Sequence, residues 1–201
     1  MSVAICAIEL AMLGSKACDI TSIVAIACAW HGCFAPNIVA DLFRGEQQKN
    51  IDWVLLQALK WTNMDSTQGA MLIYDIACQY FVHLQDHIGH LLLDALSLDH
   101  AIGMFHVHGH KDQCFFCYAT SFIPHTGVMV GEFLEMLWSS LDSITPTVQT
   151  ATLANRAETI DDPISNSNHK KMLSIGEHGT LHILCQCQYP CWCTDFLLVA
   201  S

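Results

Sequence analysis

The chain is 201 residues long, with 52% hydrophobic residues, 13% charged residues and a formal net charge of −11. This length suits one ordinary domain or slightly more, and the high apolar content excludes intrinsic disorder for most of the chain. The acidic balance repels a polyanion, so we expect unaided binding to nucleic acid to be weak.

The mean hydropathy of +0.35 raises the question of a membrane segment. The longest clean apolar runs, such as Ile20 to Trp30, are shorter than the roughly 20 residues that a bilayer requires. Glu9 interrupts the apolar start and no basic residue precedes it, which makes a poor signal peptide. We therefore expect a nuclear or cytoplasmic chain that is not secreted and does not contact a membrane. In a reducing compartment, its eleven cysteines and twelve histidines favour metal binding or buried thiols over disulfides.

The first half of the chain predicts alternating strands and helices. A run rich in β-branched residues predicts a buried strand over Ile20 to Ala29, ending before a turn-like segment from His31 to Pro36. A polar break follows, and apolar residues at helical spacing then predict an amphipathic helix over Arg44 to Lys60. Asn63 to Gly69 has turn chemistry. Ala70 to Ile76 predicts a short strand, after which the apolar spacing over residues 77–84 becomes helical.

The second half mixes further elements with loops. Met104 to His110 alternates apolar residues and histidines, which predicts a half-buried strand with its histidines on one face. Gly131 to Leu141 has the apolar spacing of a helix. Asp161 to Asn168 is polar and contains a proline, which predicts a loop. The last stretch, Gly176 to Ser201, is cysteine-rich and shows no clear periodicity.

Acidic residues at two places are candidates for binding a hard divalent cation. Asp75 lies where a predicted strand gives way to a helix, a place where open α/β sheets often carry ligand-binding groups. Glu132 and Glu135 are three residues apart and so lie on roughly one helical face. Each has a simpler explanation, because aspartate is a good helix cap and glutamates in a first turn favour the helix dipole. Both explanations stay open.

Histidines and cysteines give the strongest local signal for a soft or borderline metal. Five such ligands that suit tetrahedral zinc fall within twelve positions: His106, His108, His110, Cys114 and Cys117. Two further groups can supply ligands: Cys28, His31 and Cys33 near the N-terminus, and Cys185, Cys187, Cys191 and Cys193 in the tail. The alternative is that these cysteines are free buried thiols.

The ordered motifs of the chain resemble those of the Kyakuja-Dileera-Zisupton (KDZ) transposase family. The first two are ACAWHGCFAP at 27–36 and DLFRGEQQKNIDW at 41–53. The next are YDIACQ at 74–79, HVHGHK at 106–111 with Cys114, GEFLEMLWS at 131–139, and DD at 161–162 with Asn168 and Lys171. Six blocks in the family order between about Cys18 and Ile175 make chance a poor explanation.

The resemblance implies an α/β fold with an incomplete ribonuclease H-like (DDE transposase) core and a His/Cys-rich insert. It implies an activity that cuts and joins DNA strands, using two aspartates and one glutamate to hold Mg²⁺ or Mn²⁺. Such ions, about 3.5–4 Å apart, activate the attacking oxygen and stabilise the leaving one. By motif position Asp75 matches the second aspartate and Glu135 the glutamate, with Glu132 as second choice. The insert, carrying His106, His108, His110 and Cys114, is implied to hold a structural Zn²⁺ ion.

Departures from the family pattern indicate that this chain is inactive. In the family the first catalytic aspartate lies well upstream of the Cys-x-x-His block, and no residue here matches it by motif position. Trp30 and Cys117 stand where arginine is common in the family, which lowers the expected affinity for DNA. We expect family sequence over residues 18–175, a poorly matched segment at 1–17, and a tail at 176–201 that is foreign to the family.

These observations together predict an inactive fragment of a KDZ transposase catalytic domain. The implied partners are DNA, bound weakly, and either a full-length transposase or a second copy of the chain. One alternative is a noncatalytic zinc-binding or interaction module derived from a transposon. Another retains catalysis, with the first aspartate supplied by a partner or by an upstream exon.

Overall fold

The computed structural model describes residues 20, 22–29, 31–43, 46–61, 69–92, 96–124, 126, 133–188 and 195–200. Its five strands form one mixed sheet in the order β2-β1-β5-β3-β4. The strands are β1 Ser22–Cys28, β2 Phe34–Leu42, β3 Ala70–Tyr74, β4 Leu98–Ala101 and β5 Asp195–Ala200. Strands β2 and β5 run antiparallel to β1, whereas β4 and β5 run parallel to β3. The described chain is therefore of the α/β class that the sequence predicts.

Helices connect the strands and follow them. Within the described ranges they are α1 Gln48–Trp61, α2 Ala77–Ile88, α3 Met104–Val107, α4 Asp112–Tyr118, α5 Phe133–Asp142, α6 Thr145–Thr150 and α7 Leu153–Gln188. Short 3-10 turns occupy Gly89–Leu91 and Thr120–Phe122. No helix of the described ranges is both long enough and apolar enough to cross a membrane.

Helices cover both faces of the sheet, because successive residues of a buried strand point to opposite faces. On one face, Val24 of β1 and Leu72 of β3 pack with Leu55 of α1. On the other, Met71 of β3 packs in a core that includes Leu137 of α5. These two apolar cores hold the sheet between helical layers.

Several predicted elements are confirmed by the structure. They are the strands predicted over 20–29 and 70–76 and the helices predicted over 44–60, 77–84 and 131–141. The predicted turn at Asn63 to Gly69 lies outside the described residues except for Gly69.

The turn-like segment from His31 to Pro36 is shorter than predicted. Gly32 adopts a positive φ of 62°, and its N–H donates to the Cys28 carbonyl at 2.8 Å, which reverses the chain. Strand β2 then begins at Phe34, within the predicted turn. Pro36 is compatible with this strand because β2 lies at the edge of the sheet, where a missing N–H is tolerated.

The strand predicted over Met104 to His110 is wrong, because this segment forms helix α3 and a turn. Strand β4, which pairs with β3, ends at Ala101, before His106. The N–H of Val107 donates to the Gly103 carbonyl at 2.9 Å, and Val107 alone of the helix is buried. Over so short a segment, the alternation of apolar residues and histidines does not distinguish a strand from a single helical turn.

The loop predicted over Asp161 to Asn168 is also wrong, because helix α7 continues through it with Pro163 inside. Ile160 and Ile164, one helical turn apart, are both buried in the second core. Tertiary burial of this face therefore overrides the local preference of the polar residues and of proline. The cysteine-rich tail likewise contains regular structure, since α7 extends to Gln188 and β5 follows at Asp195.

Candidate metal centre

Asp75 lies at the carboxyl end of β3, where the chain leaves the sheet to enter α2. Strand β3 is buried along its whole length, so its end is held firmly. The N-cap residue of α2 is Ile76, which makes no side-chain cap hydrogen bond. Asp75 thus lies one residue before the N-cap position.

The His/Cys-rich insert follows β4 and spans residues 102–119. Its two ends lie next to each other. The N–H of Ile102 donates to the Tyr118 carbonyl at 2.8 Å, and Ile102 forms a parallel bridge with Ala119. Helices α3 and α4 lie between these ends. This closure holds the histidines and cysteines of the insert near the start of α2.

Three of these side chains converge as a candidate metal centre. Cys78 lies in the first turn of α2, His110 in the turn before α4, and Cys114 in the first turns of α4. One ligand atom from each residue lies within 4.8 Å of the others, and all three residues are half-buried. The Sγ atom of Cys78 is 3.5 Å from Nδ1 of His110. Two thiols and one imidazole are ligands typical of zinc.

Burial and neighbouring groups shift the pKa values of two members of this group. Burial, together with the neighbouring Cys114 thiol, raises the pKa of Cys78 to about 11. Burial and the nearby His106 lower the pKa of His110, so its imidazole stays neutral and has a lone pair to offer. A zinc ion would bind the thiolate form of Cys78 and Cys114 and would displace the thiol protons. Zinc binding at this group would therefore weaken as the pH falls.

His106 links this group to Asp75. Its Nδ1 lies 3.4 Å from Oδ2 of Asp75, whose side chain is 34% exposed. Since His106 also acts on the pKa of His110, the candidate centre and the strand-end carboxylate are electrostatically connected. A carboxylate that orients a histidine beside a metal is a common arrangement in metalloproteins.

The other predicted ligands of the insert lie outside the group of three. The ring of His108 packs against Phe115 at a centroid distance of 5.2 Å. Cys117 is exposed. Cys28 and His31 lie together at the β1-β2 connection, where Cys28 Sγ is 3.2 Å from His31 Nδ1.

The structure describes the predicted carboxylate ligands Glu132 and Glu135 only in part. Glu132 lies outside the described residues, and Glu135 lies in the first turn of α5 with its side chain outside the described part. Among the tail cysteines, Cys185 and Cys187 lie on α7, while Cys191 and Cys193 are outside the described residues.

Cys78 is the member of the centre that sequence reasoning did not identify. It is 32 residues from His110 along the chain, so no local spacing reveals the pair. The available signal was its position three residues after Asp75, in the first turn of a helix that follows a buried strand.

Comparison with known proteins agrees with these motifs. The family model described as Kyakuja-Dileera-Zisupton transposase matches residues 7–168, a range that includes β1 to β4 and all three members of the candidate centre. No curated protein and no solved structure matches the chain. Since the family match covers well over half of the sequence, the chain belongs to the Kyakuja-Dileera-Zisupton transposase family.

Proposed function

We propose that this chain is a zinc-stabilised part of a KDZ transposase catalytic domain that does not itself cut or join DNA. The observation that carries the proposal is the convergence of Cys78, His110 and Cys114 beside the strand-end Asp75. The family match supports the transposase origin. The zinc site, the absence of catalysis and the details of the core are our proposals.

The core is proposed to be ribonuclease H-like and incomplete. In its support, β3 and β4 form a parallel pair joined through α2, and Asp75 follows the carboxyl end of β3. Ligand and catalytic groups of open α/β sheets typically lie at such ends. By motif position, the resemblance gives Asp75 the place of the second catalytic aspartate.

The proposed zinc ion joins α2 to the insert. Cys78 would supply a ligand from α2, while His110 and Cys114 would supply ligands from the insert. His106 lies outside the group of three, with its Nδ1 3.4 Å from Asp75, and is our candidate for the fourth ligand. With four protein ligands such a site is closed and structural rather than catalytic.

Strand transfer would require Asp75 and Glu135, with Glu132 as the alternative, to hold Mg²⁺ or Mn²⁺, which would activate the attacking oxygen. Our proposal that the chain does not act in this way rests on two points. Asp75 is engaged by His106. No residue of the chain matches the first catalytic aspartate of the family by motif position.

Zinc analysis of the chain purified without added metal tests the structural part of the proposal. We expect close to one tightly held zinc ion per chain, lost in Cys78→Ser and in Cys114→Ser. Cys117→Ser is the matched control, since it removes an exposed thiol of the same helix and should retain the ion. Retention of zinc in both Cys78→Ser and Cys114→Ser would refute the site.

A plasmid-nicking assay in Mn²⁺ tests the absence of catalysis. We expect the parent chain to nick DNA no faster than Asp75→Asn or Glu135→Gln. Nicking by the parent that both substitutions abolish would contradict the proposal and would indicate a working carboxylate site.

The proposed partners and location follow from family membership and charge. A transposase-derived chain of the nucleus or cytoplasm would meet DNA, a full-length transposase or a second copy of itself. With a net charge of −11, we propose that protein contacts dominate over DNA contacts. DNA binding that stays tight at physiological salt would oppose this proposal.

A further inference from the structure

The second half of α2 carries a pair of histidines that the transposase motifs do not include. His83 and His87 are four residues apart and so lie on one face of the helix. Their rings lie nearly parallel, with 6.1 Å between centroids and 21° between planes. Both side chains are accessible, at 58% and 39% exposure. A helix presents two imidazoles to one ion in this way when it binds a metal through residues i and i+4.

A carboxylate lies beside the Nδ1 atom of each ring. For His87 the carboxylate is Asp52 of α1, with Oδ2 at 3.5 Å. For His83 it is Asp86, with Oδ2 at 3.9 Å. The carboxylates lie near the Nδ1 edge of each ring, so the Nε2 edge is the one left to face a metal ion. Histidines that bind metals are oriented by carboxylates in the same manner.

Asp52 is itself held in place. It is only 8% exposed, and it accepts a hydrogen bond from the Tyr80 hydroxyl at 2.7 Å. Tyr80 is fully buried between the two helices and the sheet. The carboxylate beside His87 therefore has a fixed position before any ion binds.

We propose that His83 and His87 form a second metal site, a two-imidazole site for a borderline divalent cation such as Ni²⁺, Cu²⁺ or Zn²⁺. Both ligands come from α2, and water completes the coordination because the rings are exposed. Asp52 is a positioning residue that orients the ring of His87. The site contains no thiol, so it differs in chemistry from the group of Cys78, His110 and Cys114.

Titration of the purified chain with Ni²⁺ tests this site. We expect His83→Ala and His87→Ala each to weaken Ni²⁺ binding at least tenfold. His90→Ala is the matched control, because it removes an exposed histidine from the turn that follows the same helix, and it should change the affinity less than twofold. Equal affinity in the parent and in the His83→Ala/His87→Ala double variant would overturn the proposal, as would an equal loss in the control.

The role of Asp52 has its own test. We expect Asp52→Asn to weaken Ni²⁺ binding by about 10–100-fold, the range typical of residues that orient metal ligands. The electron paramagnetic resonance spectrum of bound Cu²⁺ should change in this variant while the far-UV circular dichroism stays the same. An unchanged spectrum and affinity would remove Asp52 from the site.

The two-histidine site and the proposed zinc centre can be tested independently of each other. The Cys78→Ser/Cys114→Ser variant should lose tightly held zinc and retain Ni²⁺ binding, whereas the double histidine variant should do the opposite. Loss of Ni²⁺ binding in the cysteine variant, with its fold intact, would place that ion at the cysteine group and refute the two-histidine site.

Discussion

At the scale of single residues, Asn168 joins parts of the chain that are 134 residues apart. Its Oδ1 accepts from the Phe34 N–H at 2.8 Å, and its Nδ2 donates to the Phe34 carbonyl at 2.9 Å. The amide thus satisfies both backbone groups of the first residue of β2. Asn168 is also the last residue of the family match.

Replacing Asn168 by alanine should destabilise the fold by about 1–3 kcal/mol, because two partly buried backbone groups lose their partner. Chemical denaturation measures the change in the free energy of unfolding. Asn166→Ala is the control, since Asn166 is exposed on the same helix. Equal effects of the two substitutions would show that the amide contact contributes nothing.

His100 makes stability depend on pH. Its ring stacks on Phe81 at a centroid distance of 3.9 Å and also contacts Tyr118. Burial lowers the pKa of His100, although Asp99 opposes the shift. The unfolded chain therefore takes up a proton at a higher pH than the folded chain does. The stabilisation is complete above the ordinary histidine pKa and is lost as the pH falls toward the pKa of the folded state.

We accordingly expect the melting temperature to be lower at pH 5 than at pH 7, and the difference to shrink in His100→Phe, which keeps the stack. His90→Gln, at an exposed position, should leave the difference unchanged. Thermal melts at the two pH values provide the measurement. The same difference in His100→Phe as in the parent would exclude His100 as its source.

Prediction of the site from single residues succeeded only in part. His110 and Cys114 were candidates because they are close in sequence, and the structure brings them together. Cys78 could not be identified because it approaches them only through the folding of α2 against the insert. His106 was expected as a zinc ligand, and the structure places its Nδ1 beside Asp75, outside the group of three.

At the scale of elements, helix α7 shows how tertiary burial overrides local signals. Its residues 161–168 are polar and include Pro163, which has no N–H to donate to the carbonyl one turn earlier. The buried pair Ile160 and Ile164 nevertheless keeps the segment helical. The sequence allowed the helices α1, α2 and α5 to be predicted because apolar periodicity and local preference agree there.

Pro163→Ala should stabilise the protein by about 2 kcal/mol. Restoring the helical hydrogen bond gains up to about 3 kcal/mol, and the greater freedom of the unfolded chain offsets about 1 kcal/mol of it. Denaturant unfolding measures the gain, with Ser165→Ala at an exposed neighbouring position as the control. A variant less stable than the parent would mean that the helix requires the proline at this point.

At the scale of the whole molecule, the sheet depends on a strand from beyond the family match. Strand β5 pairs with β1 on one side and β3 on the other, so it joins the β1-β2 hairpin to the β3-β4 pair. The match ends at residue 168, whereas β5 begins at Asp195. Strand β5 could not be predicted from the sequence because the tail lacks a periodic pattern. Its pairing also depends on β1 and β3, which are distant from it along the chain.

The α/β class, by contrast, could be predicted, because buried strands and amphipathic helices alternate along the first half of the chain. The candidate centre lies where those elements meet the insert. Its proposed zinc ion would connect the end of the central sheet, helix α2 and the insert into one unit.

X-ray absorption at the zinc edge of the purified chain tests this central claim most directly. The account predicts two sulfur ligands at about 2.3 Å and imidazole nitrogen at about 2.0–2.1 Å, in a four-coordinate site. A shell of four sulfurs, or one without sulfur, would contradict the assignment of Cys78, His110 and Cys114.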